Sequence, residues 1–355
     1  RGVLDMYKLS VHSVKPGMVL YDDVYNERKE LLLKSNTELT ADKIKMLIAE
    51  YIDQLTLAEP DEIGMTHYKH LHSSDHFQEF NVVYNQCLVH FGKILRTLDT
   101  GLNLNTDKLL TLRDDIMCSV MNGEQLLDYL YNMMPNENEI TYNHCFNCGL
   151  LCYVFAQWCG FPKQDLDTIT LCGFLFDIGK TKIDSALLWK PDKLSPEEYQ
   201  QMQHHIHLGY DLIKNKKVPP RVINVMIMHH ERCDGTGYPA RLKADRIDPY
   251  AMLAAITDTY EAMTHPRAQR LALTPFQAIR SFEEQGFQKY GAYNTKKILT
   301  RIANMYVDRY VALNNKIEGR ITEIHEDALS RPTIFSKNIF LDLRQYPDLE
   351  IVRMV

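Results

Sequence analysis

Eleven consecutive residues, His229-His230-Glu231-Arg232-Cys233-Asp234-Gly235-Thr236-Gly237-Tyr238-Pro239, combine the reactive side chains and turn formers that a binding site needs. The two histidines close an apolar run, Val222 to Met228, that reads as a helix; an acid- and glycine-rich turn follows. Imidazoles at a helix end are well placed for metal ligation, and glycine lets the backbone turn tightly around a bound group. A histidine pair capping a helix before a surface turn is the ordinary alternative for His229 and His230 taken alone.

Other segments supply groups of the same kind. In the helix expected after Ser195, Met202, His205, Gly209 and Leu212 share a face, whereas His204 and His207 align with Asp211 and Lys214 on a solvent-facing one. His205 is therefore the interior candidate, with a hydrogen-bonded core histidine as its ordinary reading. Asp258 sits in the apolar run Ala251 to Thr257, and Asp177 follows Leu171 to Phe176. An unpaired carboxylate in such surroundings costs several kcal/mol or stays protonated, so each needs a partner, either a cation or an arginine. His144 opens a helix reaching to about Cys159. Imidazole with carboxylate suits iron, manganese, zinc or nickel, and an aspartate shared by two ions could serve two-metal cleavage of a phosphodiester.

Composition narrows the class. The chain has 355 residues, 45% hydrophobic and 24% charged, as expected of a soluble globular protein with two or three domains. No apolar run approaches the ~18 to 20 residues of a membrane span, and no signal-peptide pattern opens it, so a cytoplasmic location is expected. The eight cysteines (Cys87, Cys118, Cys145, Cys148, Cys152, Cys159, Cys172 and Cys233) lie mostly in helix-like stretches and read as reduced. Cys145 and Cys148 have zinc-site spacing but no second pair, which argues against structural zinc. A net charge of −6 argues against DNA or RNA as partner; an anionic small ligand would need local cations. The cluster His67, His70, His72, His76 and Asp75 reads as a solvated linker.

The expected architecture is mainly α: a helical bundle, which the family resemblance described next makes HD-type, with small β-containing modules at both ends. Residues 1–60 read as a β-containing module with a helix from Thr40 to Glu50, buried through Ile44, Leu47 and Ile48. Residues 61–135 read as a helical linker or dimerisation region, with amphipathic helices at 77–98 and 106–133. Residues 136–310 stay helical, with a capping box at Ser195 and a start at Asp248-Pro249. Residues 311–355 read as a β-containing extension, with strands at 317–324 and 334–343 broken by Gly319, Ser330 and Pro332.

Across 136–310 the order and spacing of these residues resemble the HD-GYP family, bacterial metal-dependent phosphodiesterases acting on cyclic di-GMP. The resemblance implies two divalent transition-metal ions held by His144, Asp177, His205, His229, His230 and Asp258. It implies a catalytic role for Asp177 and Lys180, and nucleotide contacts from Lys180, Tyr238 and Arg267. The sequence departs from the family twice. Phe176 stands where the family has the histidine of its His-Asp pair, leaving one metal position with only His144, Asp177 and Asp258. Ile140 stands where members with a third metal carry a glutamate, Glu139 being one residue off. The expected function is thus a cyclic di-GMP phosphodiesterase of reduced activity; the alternative is a degenerate domain acting as a nucleotide receptor or protein-interaction module. A homodimer and a signalling-protein partner are further expectations of this reading.

Overall fold

The computed structural model describes residues 6–11, 14, 18–26, 28–35, 37, 39–58, 71–133, 139–188, 190, 193–265 and 272–355. The N-terminal module contains β1 (Met6–Ser10), β2 (Val24–Tyr25), β3 (Leu31–Leu33), α1 (Ala41–Ala49) and β4 (Gln54–Ala58). Strand β1 pairs antiparallel with β4, and β2 with β3. Thr40 caps α1 by accepting from the Lys43 amide, satisfying one of the donors a helix start leaves open. Val11, Leu20, Leu39, Leu47 and Leu57 form a small core of their own. Ile48 is exposed rather than buried; Ile44 and Leu47 are the buried residues of α1, with Met46 packed beside them.

The helical body starts with α2 (Asp75–Arg96), capped by Ser74, whose face Phe77, Phe80, Tyr84, Leu88, Phe91 and Leu95 is buried. The expected helix over 106–133 is two helices, α3 (Thr106–Cys118) and α4 (Gly123–Asn132). Asn122 interrupts them because its side chain accepts from the Gln125 amide, which starts a new helix there. These helices belong to one hydrophobic core that runs from Phe77 to Ile351. At its centre lies α5 (Ile140–Cys159), apolar on every side, crossed by α6 (Leu166–Leu175). A Cβ at Gly173 would lie 2.6 Å from the Cys148 carbonyl oxygen, so only glycine permits this close crossing. Phe91, Phe146 and Phe174 fill the space beside it, with ring centroids 5.1 to 5.6 Å apart.

After the short α7 (Ser185–Leu188), the helix expected from Ser195 divides at His204 into α8 (Pro196–Gln203) and α9 (His205–Ile213). The Ser195–Glu198 capping box is present. Then follow α10 (Pro220–Met228), α11 (Pro249–Thr264), α12 (Pro275–Gln285) and α13 (Ala292–Asn304). The C-terminal part is an antiparallel sheet of β5 (Tyr310–Leu313), β6 (Glu318–His325), β7 (Ala328–Ser336), β8 (Ile339–Asp342) and β9 (Ile351–Met354), in the order β8-β7-β6-β5-β9. Gly319 lies inside β6, and Ser330 and Pro332 inside β7, so they do not break strands. The break falls instead at Lys337-Asn338, two positive-φ residues that turn β7 into β8. Helix α12 packs against β7, joining this sheet to the helical body.

Candidate metal centre

Asp177 follows α6 and is fully buried. Its position depends on Gly179: a Cβ there would meet the His205 carbonyl oxygen at 1.9 Å and the Gly209 amide at 2.5 Å. Glycine thus lets the segment after Asp177 lie directly on α9, which brings Asp177 Oδ1 within 3.2 Å of His205 Nε2. His229, ending α10, presents its Nε2 at 3.4 Å from the same oxygen. The Nδ1 of His205 donates to the Met202 carbonyl at 2.7 Å, and that of His229 to the Met226 carbonyl at 2.8 Å. With those protons assigned by their partners, both Nε2 atoms carry lone pairs. Three buried acceptors (His205 Nε2, His229 Nε2 and Asp177 Oδ1) therefore face one another with no hydrogen-bond partner among the described residues. Such an arrangement calls for a cation, and the residues fit a divalent transition metal. His230 belongs to the same set of ligand atoms.

The other oxygen of Asp177 faces a different set. Oδ2 lies 3.0 Å from His144 Nε2 and also receives the Lys180 ammonium. His144 sits on the second turn of α5, which begins at Ile140 rather than at the histidine. Its Nε2 is 3.3 Å from Asp258 Oδ1, and its Nδ1 hydrogen-bonds Glu261. The buried Asp258 thus finds an imidazole rather than an arginine. Asp177, His144 and Asp258 form a second compact ligand group, and His144, Cys148 and Glu261 a third. Phe176 is fully buried between the two sides, its ring centroid 4.7 Å from that of His229 and 6.1 Å from that of His144.

Electrostatics follow this geometry. Burial opposes charge on Asp177, but the Lys180 ammonium and the His144 imidazole hold its carboxyl well below the usual range. Asp258 is likewise held down, burial being outweighed by His144 and Lys180. Burial also opposes charge on His144, yet Cys148, Glu261, Asp177 and Asp258 raise its imidazole well above the ordinary value. His230 is pushed the other way, by burial and by His229.

The turn after His230 is pinned by Glu231, a buried carboxylate accepting from the Ala240 amide at 2.6 Å and the Leu242 amide at 2.9 Å. A Cβ at Gly237 would meet the Arg232 amide nitrogen at 2.4 Å, so this return path requires glycine. Tyr238 stacks on His230 with ring centroids 4.6 Å apart, and burial raises its phenol's pKa. Arg267 lies outside the described residues, as do His67 and His70. His76 is exposed and His72 packs edge-on against Phe77 rather than lying free in solvent; α2 begins between them. Glu139, noted above as a misplaced carboxylate, pairs with Arg96 at 2.5 Å.

The sequence reading missed Glu231, Glu261 and Asn147. Glu261 was within reach, since it stands three residues after Asp258 in the same apolar helix and shares its face. Asn147 gave no signal, because its partners come from other helices.

Known proteins resemble this chain over the region that carries the site. The family model described as HD domain matches residues 128–293. The chain is 30% identical over 192 residues to the cyclic di-GMP phosphodiesterase PA4108 of Pseudomonas aeruginosa, covering 54% of this chain and 46% of that protein. It is 27% identical over 199 residues to a cyclic di-GMP phosphodiesterase of Thermotoga maritima, covering 55% and 50%. It is also 29% identical over 150 residues to the 3'3'-cGAMP-specific phosphodiesterase 2 of Vibrio cholerae, covering 42% and 29%. The chain therefore spans half or less of the length of these relatives. Among solved structures, Bd1817, an HDG"Y"P protein from Bdellovibrio bacteriovorus, shares the fold, with a TM-score of 0.51 over 84% of this chain and 99% of that one at 17% identity. A helical HD domain with a buried histidine–aspartate centre is the class that fold and site define. Residues 128–293 carry an HD domain, and over this region the chain resembles the HD-GYP family. Among the described residues, no helix is long and apolar enough to cross a membrane.

Proposed function

We propose that this domain binds two divalent transition-metal ions and hydrolyses cyclic di-GMP or a close cyclic dinucleotide, at a rate reduced by Phe176. The observation that carries the reading is the trio of unpartnered buried acceptors, His205 Nε2, His229 Nε2 and Asp177 Oδ1. Asp177, His205, His229 and His230 would hold one ion, and His144, Asp177 and Asp258 the other. Bound there, the ions supply Lewis-acid activation of water and of phosphodiester oxygens.

The residues of the chain do the rest. The backbone carbonyls of Met202 and Met226 hold His205 and His229 as Nε2 ligands. Asp177 would offer one oxygen to each position, Oδ1 beside His205 and Oδ2 beside His144. Lys180, already beside Asp177, supplies a cation for a substrate phosphate, with Arg267 proposed as a second. Tyr238, held by its stack on His230, offers an aromatic face to a base. We read residues 136–310 as the working unit of a cytoplasmic signalling protein, flanked by 1–60, 61–135 and 311–355, dimeric or held by a protein partner.

One observation favours a second reading, a nucleotide receptor without turnover: Phe176 fills the space between His144 and His229 with hydrocarbon. The deciding experiment measures metal content and cyclic di-GMP hydrolysis of the native chain beside Asp177→Ala and Phe176→His. Turnover by the native chain that Asp177→Ala abolishes supports the enzyme. Turnover only in Phe176→His replaces it with the receptor, and absence of bound metal from the native chain overturns both.

A further inference from the structure

His144 is gripped on both ring nitrogens from a single helix. Asp258 lies at Nε2 and Glu261 at Nδ1, three residues apart on one face of α11. Glu261 is itself held: its Oε1 accepts from Asn147 Nδ2 at 3.1 Å. Asn147 Oδ1 in turn accepts from the Tyr84 hydroxyl at 2.7 Å. The amide orientation is assigned by these partners, since a carboxylate can only accept and the phenol donates to Oδ1. All four side chains are buried. A hydrogen-bonded line thus runs from Tyr84 on α2, through Asn147 on α5 and Glu261 on α11, to the imidazole. Tyr84 lies outside residues 128–293, the span matched by the HD domain.

We propose that Glu261, held in place by Asn147 and Tyr84, is a positioning residue that fixes His144 with Nε2 directed at Asp177 and Asp258. The proposal rests on the reading above that His144 ligates a metal. A carboxylate on Nδ1 fixes the tautomer, aims the ring and makes Nε2 a stronger donor to a metal. The effect matters most at this position, because Phe176 contributes no ligand there and the few remaining ones must be well aimed. Helix α2 consequently supports the centre through one phenol, and anything that moves α2 changes His144.

The test titrates Co2+ alone into the metal-free full-length chain and follows its visible absorption, with equilibrium dialysis counting ions. The native chain should take two ions with separable affinities. His144→Ala should weaken one of them. Glu261→Gln, nearly isosteric and still able to accept from Nδ1, should weaken that same ion by about 10 to 100-fold and leave the other unchanged. Tyr84→Phe should act in the same direction by less, roughly two- to fivefold for one distant neutral hydrogen bond. A merely structural role would lower the melting temperature and both affinities together, which would overturn the proposal. So would unchanged binding in Glu261→Gln when His144→Ala weakens it. If His144→Ala changes nothing, the assignment of His144 as a ligand fails first, and this inference with it. A sulfur-to-cobalt absorption band removed by Cys148→Ser would also overturn it, because Glu261 and Cys148 would then be ligands themselves.

Discussion

The two oxygens of Asp177 look into unlike surroundings. Oδ1 faces the imidazoles of His205 and His229, with His230 in the same ligand group, whereas Oδ2 faces one imidazole, an ammonium and the carboxylate side of α11. At the imidazole side no described residue replaces a cation: the lone pairs are fixed by backbone carbonyls and find no donor among the described residues. At the carboxylate side Lys180 and a protonated His144 already balance Asp177, Asp258 and Glu261. An ion must therefore displace a proton or an ammonium there, while at the imidazole side it fills an unmet need. Phe176, packed between the two halves, brings hydrocarbon and no ligand to either.

Asp177→Ala should collapse this contrast entirely, since one residue serves both halves. Bound metal should drop to a small fraction of the native content by elemental analysis, and hydrolysis should disappear with it. Phe176→His should narrow the contrast by giving the carboxylate side a neutral nitrogen ligand. Its second-ion affinity should rise by about 10 to 100-fold, read by metal titration, and turnover should rise in parallel. Gly179→Ala should disturb the imidazole side selectively, because a Cβ 1.9 Å from the His205 carbonyl oxygen forces α9 away from Asp177. The expected cost is ~1 to 3 kcal/mol of stability by denaturant unfolding, with the affinity of the stronger site reduced first.

The smallest effect concerns pH in the metal-free chain. Asp177 and Asp258 have depressed folded values, so their contribution to stability is present above the ordinary carboxylate pKa, about 3.9, and is lost as pH falls. His144 has a raised folded value, so its contribution is complete below about pH 6.5 and is lost as pH rises through that higher value. The melting temperature should therefore decline on the alkaline side, and His144→Ala should remove that decline. An unchanged alkaline slope in the variant would show that the carboxylate side is not balanced by His144.

Much of the site was legible before any coordinates, because it is built from short motifs that constrain themselves. His229 and His230 end an apolar helix, and Gly235 and Gly237 close the turn behind them, all within one stretch of chain. His205 could be separated from His204 and His207 by helical phase alone, and the structure buries the first and exposes the other two. Helix limits were less legible. The breaks at Asn122 and His204 interrupt periodic patterns that continue across them in the same register. Gly319 and Pro332 look like strand breakers but lie within strands of the antiparallel sheet.

Local order in the chain determined which residues could ligate, which helix face each one occupies and where the glycines must be. Periodicity and capping are short-range effects, so they survive in a one-dimensional reading. Only the tertiary structure decided that Asp177 divides its two oxygens between unlike neighbours, that Phe176 packs between His144 and His229, and that Glu261, Asn147 and Tyr84 form a line to His144. Those relations reach across 33 positions from Asp177 to His144 and across 117 from Glu261 to His144. Contacts of that reach are set by how helices cross, and glycines such as Gly173 and Gly179 fix the crossing only when both partners are present.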